Sequence, residues 1–299
     1  MEIVFFCYRV ANYNCCVLHC KGGGMMMKRK GIHKPTIEDA IEISGIETLH
    51  PGGFDLTRRT AEVAALKPGM RVLDVSSGRG TQAIFYAENY GVQVTGIDIS
   101  EKMIQSATNS AQRSDKADCI SFRLGDSQAL PFSDNSFDAV INECAVGIPD
   151  DSQQVLNEMV RVVKPGGRVV IHESIWKKRI TDMEKEELSE RYGTTPLELE
   201  EWKHMLIQAG AVDIVSEHEE WSKPERFWKV RKDRDVSHYS KLLTFPERVV
   251  TLKRILQKHG VSGVTKVMVN EKVFFKAVMD GKIGYGLYRG VKGDIHGKR

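Results

Sequence analysis

Hydrophobic and polar positions along the chain follow two periods. Strand-like segments at 72–75, 92–97, 120–124, 137–142 and 168–171 lie between turn residues, and the first, with Val72, Leu73 and Val75, is a short apolar run of the kind buried in a parallel sheet. Between them apolar residues recur three and four apart: Ala83, Ile84, Ala87 and Tyr90; Met103, Ile104 and Ala107; Val155, Leu156, Met159 and Val160. These predict helices over 81–90, over 101–112 with Ser100 as cap, and from Asp150 or Asp151 to a stop at Lys164-Pro165-Gly166-Gly167. Strands alternating with helices predict a doubly wound α/β sheet, mostly parallel.

The flanks are less regular. Ile37, Ala40 and Ile41 predict a short helix over 36–44, and a second is expected from about Thr57 to Leu66, after the turn His50-Pro51-Gly52-Gly53-Phe54. A helix over 197–208 stops at Gly210, and a sixth strand covers 212–215. The best seventh strand, alternating in period two, is 282–291. Residues between, from about Trp221 to Met279, read as a helical insertion. The expected organisation is a leader over 1–30, a main domain over 31–220, the insertion over 221–280, and the last strand with its tail over 281–299.

Composition narrows the class without naming it. A formal net charge of +3 over 299 residues is too small to argue for nucleic acid or membrane. With no run of about 18 apolar residues, no membrane span is expected and the reading is a cytoplasmic protein. Cys7, Cys15, Cys16 and Cys20 crowd the first twenty residues, but their spacing fits none of the paired C-x-x-C zinc patterns. Unpaired thiols in a reducing cytosol are expected, with no metal site. Glu2 stands where a signal peptide would be basic, and Arg9, Asn12 and Asn14 interrupt its apolar core. Gly22 to Lys30 reads as a junction, with Met25 to Met27 as alternative starts, so residues 1–24 are expected to be a dispensable leader.

Candidate chemistry begins where the first strand ends. The turn Ser76-Ser77-Gly78-Arg79-Gly80 joins strand 72–75 to the next helix, and glycines there let a ligand approach the main chain closely. The second strand finishes on Asp98, about 20 positions beyond the turn, placed to accept from both hydroxyls of a ribose. The unit is therefore expected to hold a nucleoside. A dinucleotide site wants a third glycine, and here Gly80 is followed by Thr81, Gln82 and Ala83.

This pattern resembles motif I of the class I S-adenosylmethionine-dependent methyltransferases (type 11, UbiE-like), in which an acid, here Asp74, precedes a Gly-x-Gly-x-Gly turn. The resemblance covers about 56–215 and the last strand, and includes Val163-Lys164-Pro165-Gly166-Gly167 as a structural reversal. It implies S-adenosyl-L-methionine as cofactor, with Asp74 facing the methionine amino group, Gly78 and Gly80 in the corner, and Asp98, followed by Ile99, on the ribose. Asp126 would accept from the adenine amino group while the backbone of Ser127 reaches a ring nitrogen; a merely turn-forming Asp126 is the alternative. Ser76 replaces the first glycine and is tolerated if its backbone stays at negative φ, with weaker or altered binding expected. Asn142 closes the fourth strand, where cofactor and substrate would meet.

Catalytic candidates lie at the same strand ends. Glu143, His172 or Glu173 could serve as base if the acceptor must lose a proton, with His172 and Glu173 expected on the rim, where a salt-bridge pair is the alternative. His50 and Phe54 are candidates to cover the site. Cys144 suggests arsenic chemistry, but arsenite methyltransferases use several cysteines together and only Cys119 accompanies it. The insertion mixes Lys223, Arg226, Lys229, Arg231, Lys232, Arg234 and Lys241 with Trp221, Phe227, Trp228 and Tyr239, the composition of a nucleic-acid groove. Glu225, Asp233 and Asp235 dilute it, which favours an amphipathic helical lid. The leading reading is a methyltransferase for a small-molecule acceptor, nucleic acid being disfavoured and the oligomeric state left open. A regulatory protein that binds S-adenosylmethionine without turnover, an RNA methyltransferase and a nicotinamide dehydrogenase are the alternatives.

Overall fold

A computed structural model describes residues 5–10, 13–18, 26–27, 50–177, 180–227, 229 and 243–293. The expected helix over 36–44, Cys20, Trp228 and the basic and aromatic positions from Arg231 to Lys241 lie outside the described residues. Strands β1 (Phe5–Val10) and β2 (Tyr13–Leu18) pair antiparallel, with β3 (Met26–Met27) beside β2, in a sheet separate from the main one.

The main sheet is built from α1 (Gly53–Val63), β4 (Arg71–Val75), α2 (Thr81–Tyr90), β5 (Gln93–Asp98), α3 (Glu101–Ala111), β6 (Ile120–Leu124), β7 (Phe137–Glu143), α4 (Ser152–Val162) and β8 (Val163–Trp176). There follow α5 (Asp182–Tyr192), β9 (Leu197–Glu198), α6 (Leu199–Gln208), β10 (Ala211–Glu217), α7 (Pro224–Phe227), α8 (Phe245–Met279) and β11 (Ile283–Lys292). The strand order is β10-β11-β8-β7-β4-β5-β6, with β9 against β8. Strands β4 to β8 run parallel, and β11 enters antiparallel between β8 and β10. This is the doubly wound, Rossmann-like sheet with an antiparallel last strand that the pattern predicts. Because the order reverses between β4 and β7, the carboxyl ends of those two strands form the topological switch point where ligands bind.

Period-two alternation divides the core into two layers. Val72, Ala139, Ile141, Val170, Ile283, Tyr285 and Leu287 face one side, under Leu56, Ala61 and Tyr86 of α1 and α2. Leu73, Val75, Val140, Val169, Ile171 and Tyr288 face the other, against Leu156, Met159, Trp202 and Leu206 of α4 and α6. Each fully buried large side chain contributes about 1.5–3 kcal/mol. Continuing the first layer toward the carboxyl ends places Asp74 after Val72, Glu143 after Ile141 and His172 after Val170. Polar residues thus occupy core positions on one face at one end.

Two departures from expectation have local causes. Helix α1 begins at Gly53 instead of Thr57, because Gly52 takes φ +80°, a left-handed entry open to a residue without a side chain. Strand β8 runs on to Trp176, since β11 pairs with it from Ile283↔Trp176 to Val291↔Arg168. His172 and Glu173 therefore lie inside a central strand, 0% and 3% exposed, and not on the rim. The acid-rich stretch after Ile180 contains helix α5, opened by a capping box in which Thr181 and Glu184 bond reciprocally.

The insertion is tied into the main core. Helix α8 breaks at Gly260, φ +68°, and beyond the break Phe274 stacks on Tyr192 of α5 at 4.4 Å and packs against Phe227, which in turn meets Tyr285 of β11. Trp221, Phe227, Phe274 and Val278 belong to the same buried layer as Tyr285.

Candidate active site

The corner after β4 is held by backbone and one carboxylate. Ser77 N–H donates to Ile97 O at 2.9 Å and Gly80 N–H to Ser77 O at 2.9 Å. Asp98 accepts from Gly78 N–H through Oδ2 and from Ser100 N–H through Oδ1, each at 2.9 Å. Gly80 sits at φ +76°, where an added Cβ would come within 2.4 Å of Phe122 and 2.9 Å of Ala107. Gly78, at φ +52°, has open space where a side chain would point. The cradle is tight against the protein at one glycine and open at the other.

Ser76 overturns its stated condition: its φ is +59°, not negative. A non-glycine residue there costs about 1–2 kcal/mol, and the corner is left-handed despite the serine. Cys144, just after β7, is also left-handed at φ +66°, and its N–H donates to His172 O at 2.9 Å. Strained residues therefore follow both strands of the switch point.

Asp74 is 2% exposed, and its Oδ2 has no hydrogen-bond partner. Burial, then the negative charges of Glu143 and Asp98, push its pKa well above the usual carboxylate range. A buried oxygen left so is the mark of a site built for a positively charged or donating group. Across the corner, Ile99 is 51% exposed and Ser127 is buried. Asp126 is half-buried and accepts from Gln128 N–H at 2.9 Å, so it forms the turn after β6. Asn142 is fully buried, donating to Val75 O at 3.0 Å and accepting from Ala145 N–H at 2.9 Å. It clamps β7 to β4 at the switch point.

Beside this corner Glu143 gathers side chains from four other segments. Its side chain is 3% exposed. Oε2 accepts from the Thr57 hydroxyl at 2.8 Å and lies 2.8 Å from His50 Nε2 and 3.1 Å from His172 Nε2. The Tyr86 hydroxyl donates to Oε1. Burial would raise the Glu143 pKa, but the two histidines outweigh it and hold the carboxyl far below its ordinary value, so it is ionised. Burial depresses His172 against the opposing pull of Glu143. His172 Nδ1 meets the Tyr285 hydroxyl at 2.8 Å, and His50 Nδ1 donates to Pro51 O at 2.9 Å.

The structure thus brings together two of the three expected catalytic residues, Glu143 and His172. Glu173 faces elsewhere: its Oε1 accepts from Val146 N–H at 2.6 Å and Gly147 N–H at 3.3 Å, pinning the loop after β7. His50, expected only as cover, is a buried member of the cluster, while Phe54 packs on Phe85 at 5.3 Å. Thr57, Tyr86 and Tyr285 were not anticipated. The available signal was parity, since Tyr285 shares its face with Ile283 and Leu287, but no local motif marks it.

The described part of the basic insertion is neutralised. Arg226 pairs with Asp55 and Glu220, and Lys229 with Asp55. Trp221 and Phe227 are 7% and 1% exposed, so neither is available to stack on a base. Among the described residues, no helix is long and apolar enough to cross a membrane.

Comparison with known proteins gives a consistent set of likenesses. Residues 66–225 match the family described as a methyltransferase domain. The chain is 29% identical over 182 residues to phosphoethanolamine N-methyltransferase 1 of Arabidopsis thaliana, covering 60% of this chain and 36% of that protein. It is 33% identical over 163 residues to the arsenite methyltransferase of Halobacterium salinarum, covering 52% and 41%. The match therefore spans less than half the length of either relative. Among solved structures, phosphoethanolamine N-methyltransferase 2 of Haemonchus contortus, in complex with phosphomonomethylethanolamine and S-adenosylhomocysteine, has a TM-score of 0.64 at 21% identity, over 87% of this chain and 58% of that one.

Proposed function

Because the chain belongs to the class I S-adenosylmethionine-dependent methyltransferases, we propose that it transfers a methyl group to a small-molecule acceptor held on the β7, β8 and β11 side of the cleft. The observation that carries this reading is Asp74: a buried carboxylate with an unpartnered oxygen, beside an open glycine corner and a second carboxylate at the tip of β5. S-adenosylmethionine, when bound, supplies an electrophilic methyl group on a sulfonium.

In this reading Asp74 takes the ammonium of the methionine moiety and Asp98 the ribose hydroxyls. Ile99 offers an apolar surface, Asp126 accepts from the adenine amino group, and the Ser127 backbone N–H reaches the ring. Gly78 and Gly80, with Ser76, shape the corner. Methyl transfer needs the donor and acceptor held in line, and orientation alone supplies about 7–11 kcal/mol in model systems. That requirement suits a site whose side chains are locked by hydrogen bonds. Where the acceptor must release a proton, Glu143 and His172 stand on the acceptor side to receive it, while Glu173 is committed to the loop. Helix α5 and the second half of α8 close that side as a lid, through Tyr192, Phe227 and Phe274.

Relatives named for phosphoethanolamine, arsenite and demethylmenaquinone favour a small acceptor without choosing among these. Arsenite fits least, since trivalent arsenic is held by several thiols and Cys144, at the carboxyl end of β7, has only the half-buried Cys119, just before β6, as a described companion in the domain. Titration calorimetry with S-adenosylmethionine, S-adenosylhomocysteine and NAD tests the donor, and incubation with a panel of amines, quinols and arsenite, read by mass spectrometry, tests the transfer. Expected are binding of the first two, none of NAD, and one acceptor gaining a single methyl group. Failure of both sulfur nucleosides to bind would overturn the reading; binding with no product from any cell extract would favour a regulatory protein.

A further inference from the structure

We propose that His50, Glu143 and His172 form a binding site for one divalent first-row transition-metal ion, of the kind built from two imidazoles and one carboxylate. Two histidines and a glutamate in mutual contact are a recognised set for zinc or non-haem iron(II). Here they come from three distant segments: the turn before α1, the end of β7 and the middle of β8. Their ligand atoms all lie within 4.8 Å of one another.

Two of the separations are close to those of ligands around an ion. At metal–ligand distances of about 2.1 Å, adjacent ligands in octahedral or tetrahedral shells stand about 3.0–3.4 Å apart. Glu143 Oε2 is 2.8 Å from His50 Nε2 and 3.1 Å from His172 Nε2. Thr57 Oγ1 adds a fourth polar atom, 2.8 Å from Glu143 and 3.3 Å from His50 Nε2. Three groups thus converge on one carboxylate oxygen that has two lone pairs.

Proton placement points the same way. Pro51 O can only accept, so His50 Nδ1 carries a hydrogen. Nε2 is then the ring nitrogen left to ligate, 2.8 Å from Glu143 Oε2. His172 Nε2, fully buried, makes no hydrogen bond of acceptable geometry, while its Nδ1 meets the Tyr285 hydroxyl. Nδ1 engaged by a backbone carbonyl or a hydroxyl, with Nε2 left toward the centre, is the outer-shell arrangement of metal-bound histidine. An ion here would sit on the acceptor side of the proposed transferase, where an anionic oxygen or sulfur of the substrate could complete its shell, and with it bound Glu143 and His172 would be ligands in place of proton acceptors.

Cobalt(II) is the probe, since its visible absorption reports coordination directly and independently of turnover. Metal-stripped full-length protein titrated with cobalt(II) is expected to bind one ion per chain, with a ligand-field band that zinc(II) abolishes. His172→Gln and Glu143→Gln should remove the band, and Tyr285→Phe, which touches no ion, should weaken binding about 10–100-fold. His218→Gln, on the surface, should change nothing. Thermal melts of each variant separate lost binding from lost folding. Absence of a band in folded wild-type protein, or a band that survives His172→Gln and Glu143→Gln, overturns the site. Calorimetry with S-adenosylhomocysteine on the same samples keeps the questions apart: nucleoside binding without cobalt overturns the metal site alone, and cobalt binding without nucleoside overturns the donor reading alone.

Discussion

The two sides of the cleft are built differently. The donor side, from β4 to β6, is a continuous stretch of chain in which a turn, two glycines and two carboxylates follow one another within 25 residues, from Asp74 to Asp98. The acceptor side is assembled from five segments, supplying His50 and Thr57, Tyr86, Glu143, His172 and Tyr285. One side is a main-chain corner flanked by strand-end carboxylates, and the other is a cluster of side chains alone. A glycine corner tolerates few residues and recurs as a motif, whereas a side-chain cluster can be reached by many sequences and leaves no pattern.

That division can be broken most severely at its boundary. Glu143→Gln is expected to lower turnover by about 10²–10⁴-fold while changing affinity for S-adenosylhomocysteine by less than about tenfold. Asp98→Asn should do the reverse to binding, weakening the nucleoside by about 10–100-fold through loss of charged hydrogen bonds. Calorimetry and initial rates on both variants decide it, and equal effects on nucleoside affinity would dissolve the distinction between the two sides.

Within the donor side the corner should be intolerant by shape alone. Gly80→Ala places a methyl 2.4 Å from Phe122 in a left-handed backbone, and a loss of about 2–4 kcal/mol is expected in denaturant melts. Gly78→Ala meets no neighbour, so its cost should be only the backbone share, about 1–2 kcal/mol.

A smaller effect sharpens the same comparison from beneath the adenine-side loop. Glu158 accepts from Leu130 N–H at 2.7 Å and pairs with Arg161, which also donates to Leu130 O and Phe132 O. The Arg161 guanidinium holds the Glu158 carboxyl below its ordinary value. A depressed folded-state pKa means that stability is present above the unfolded value, about 4.3, and is lost as pH falls through the folded one. Glu158→Gln should therefore cost about 1–2 kcal/mol near neutral pH, and the gap from wild type should close in denaturant melts taken at acid pH.

The smallest change should be a gain. Ser76→Gly removes a left-handed serine at no packing cost evident in the corner, and about 0.5–1 kcal/mol of added stability is expected. An unchanged melting temperature would mean that Ser76 makes a compensating contact.

How much of this was legible in the sequence varies with the distance over which each feature is determined. Strand β6 is found at 120–124 as its alternating residues predict, and Ser100 and Asp151 cap α3 and α4 as their positions predict, because strand periodicity and capping are settled within a few residues. The end of β8 was misplaced because the chain gives no local sign that β11, more than a hundred residues later, extends along it. His172 thereby changed from a rim residue to a buried one. Ser76 was misjudged for the opposite reason: its own conformation is disfavoured, and only the corner around it, held by Ile97 O and Asp98, imposes a positive φ.

By itself the sequence determined the parallel sheet, the glycine corner and the pair Asp74 and Asp98, since strand period, turn chemistry and strand-end acids act over short spans of chain. Only the tertiary structure decided that His50, Thr57, Tyr86, His172 and Tyr285 would surround Glu143. Their meeting depends on strand register, on which face each residue takes, and on α1 and α2 packing over that face, and none of these is a property of any one segment.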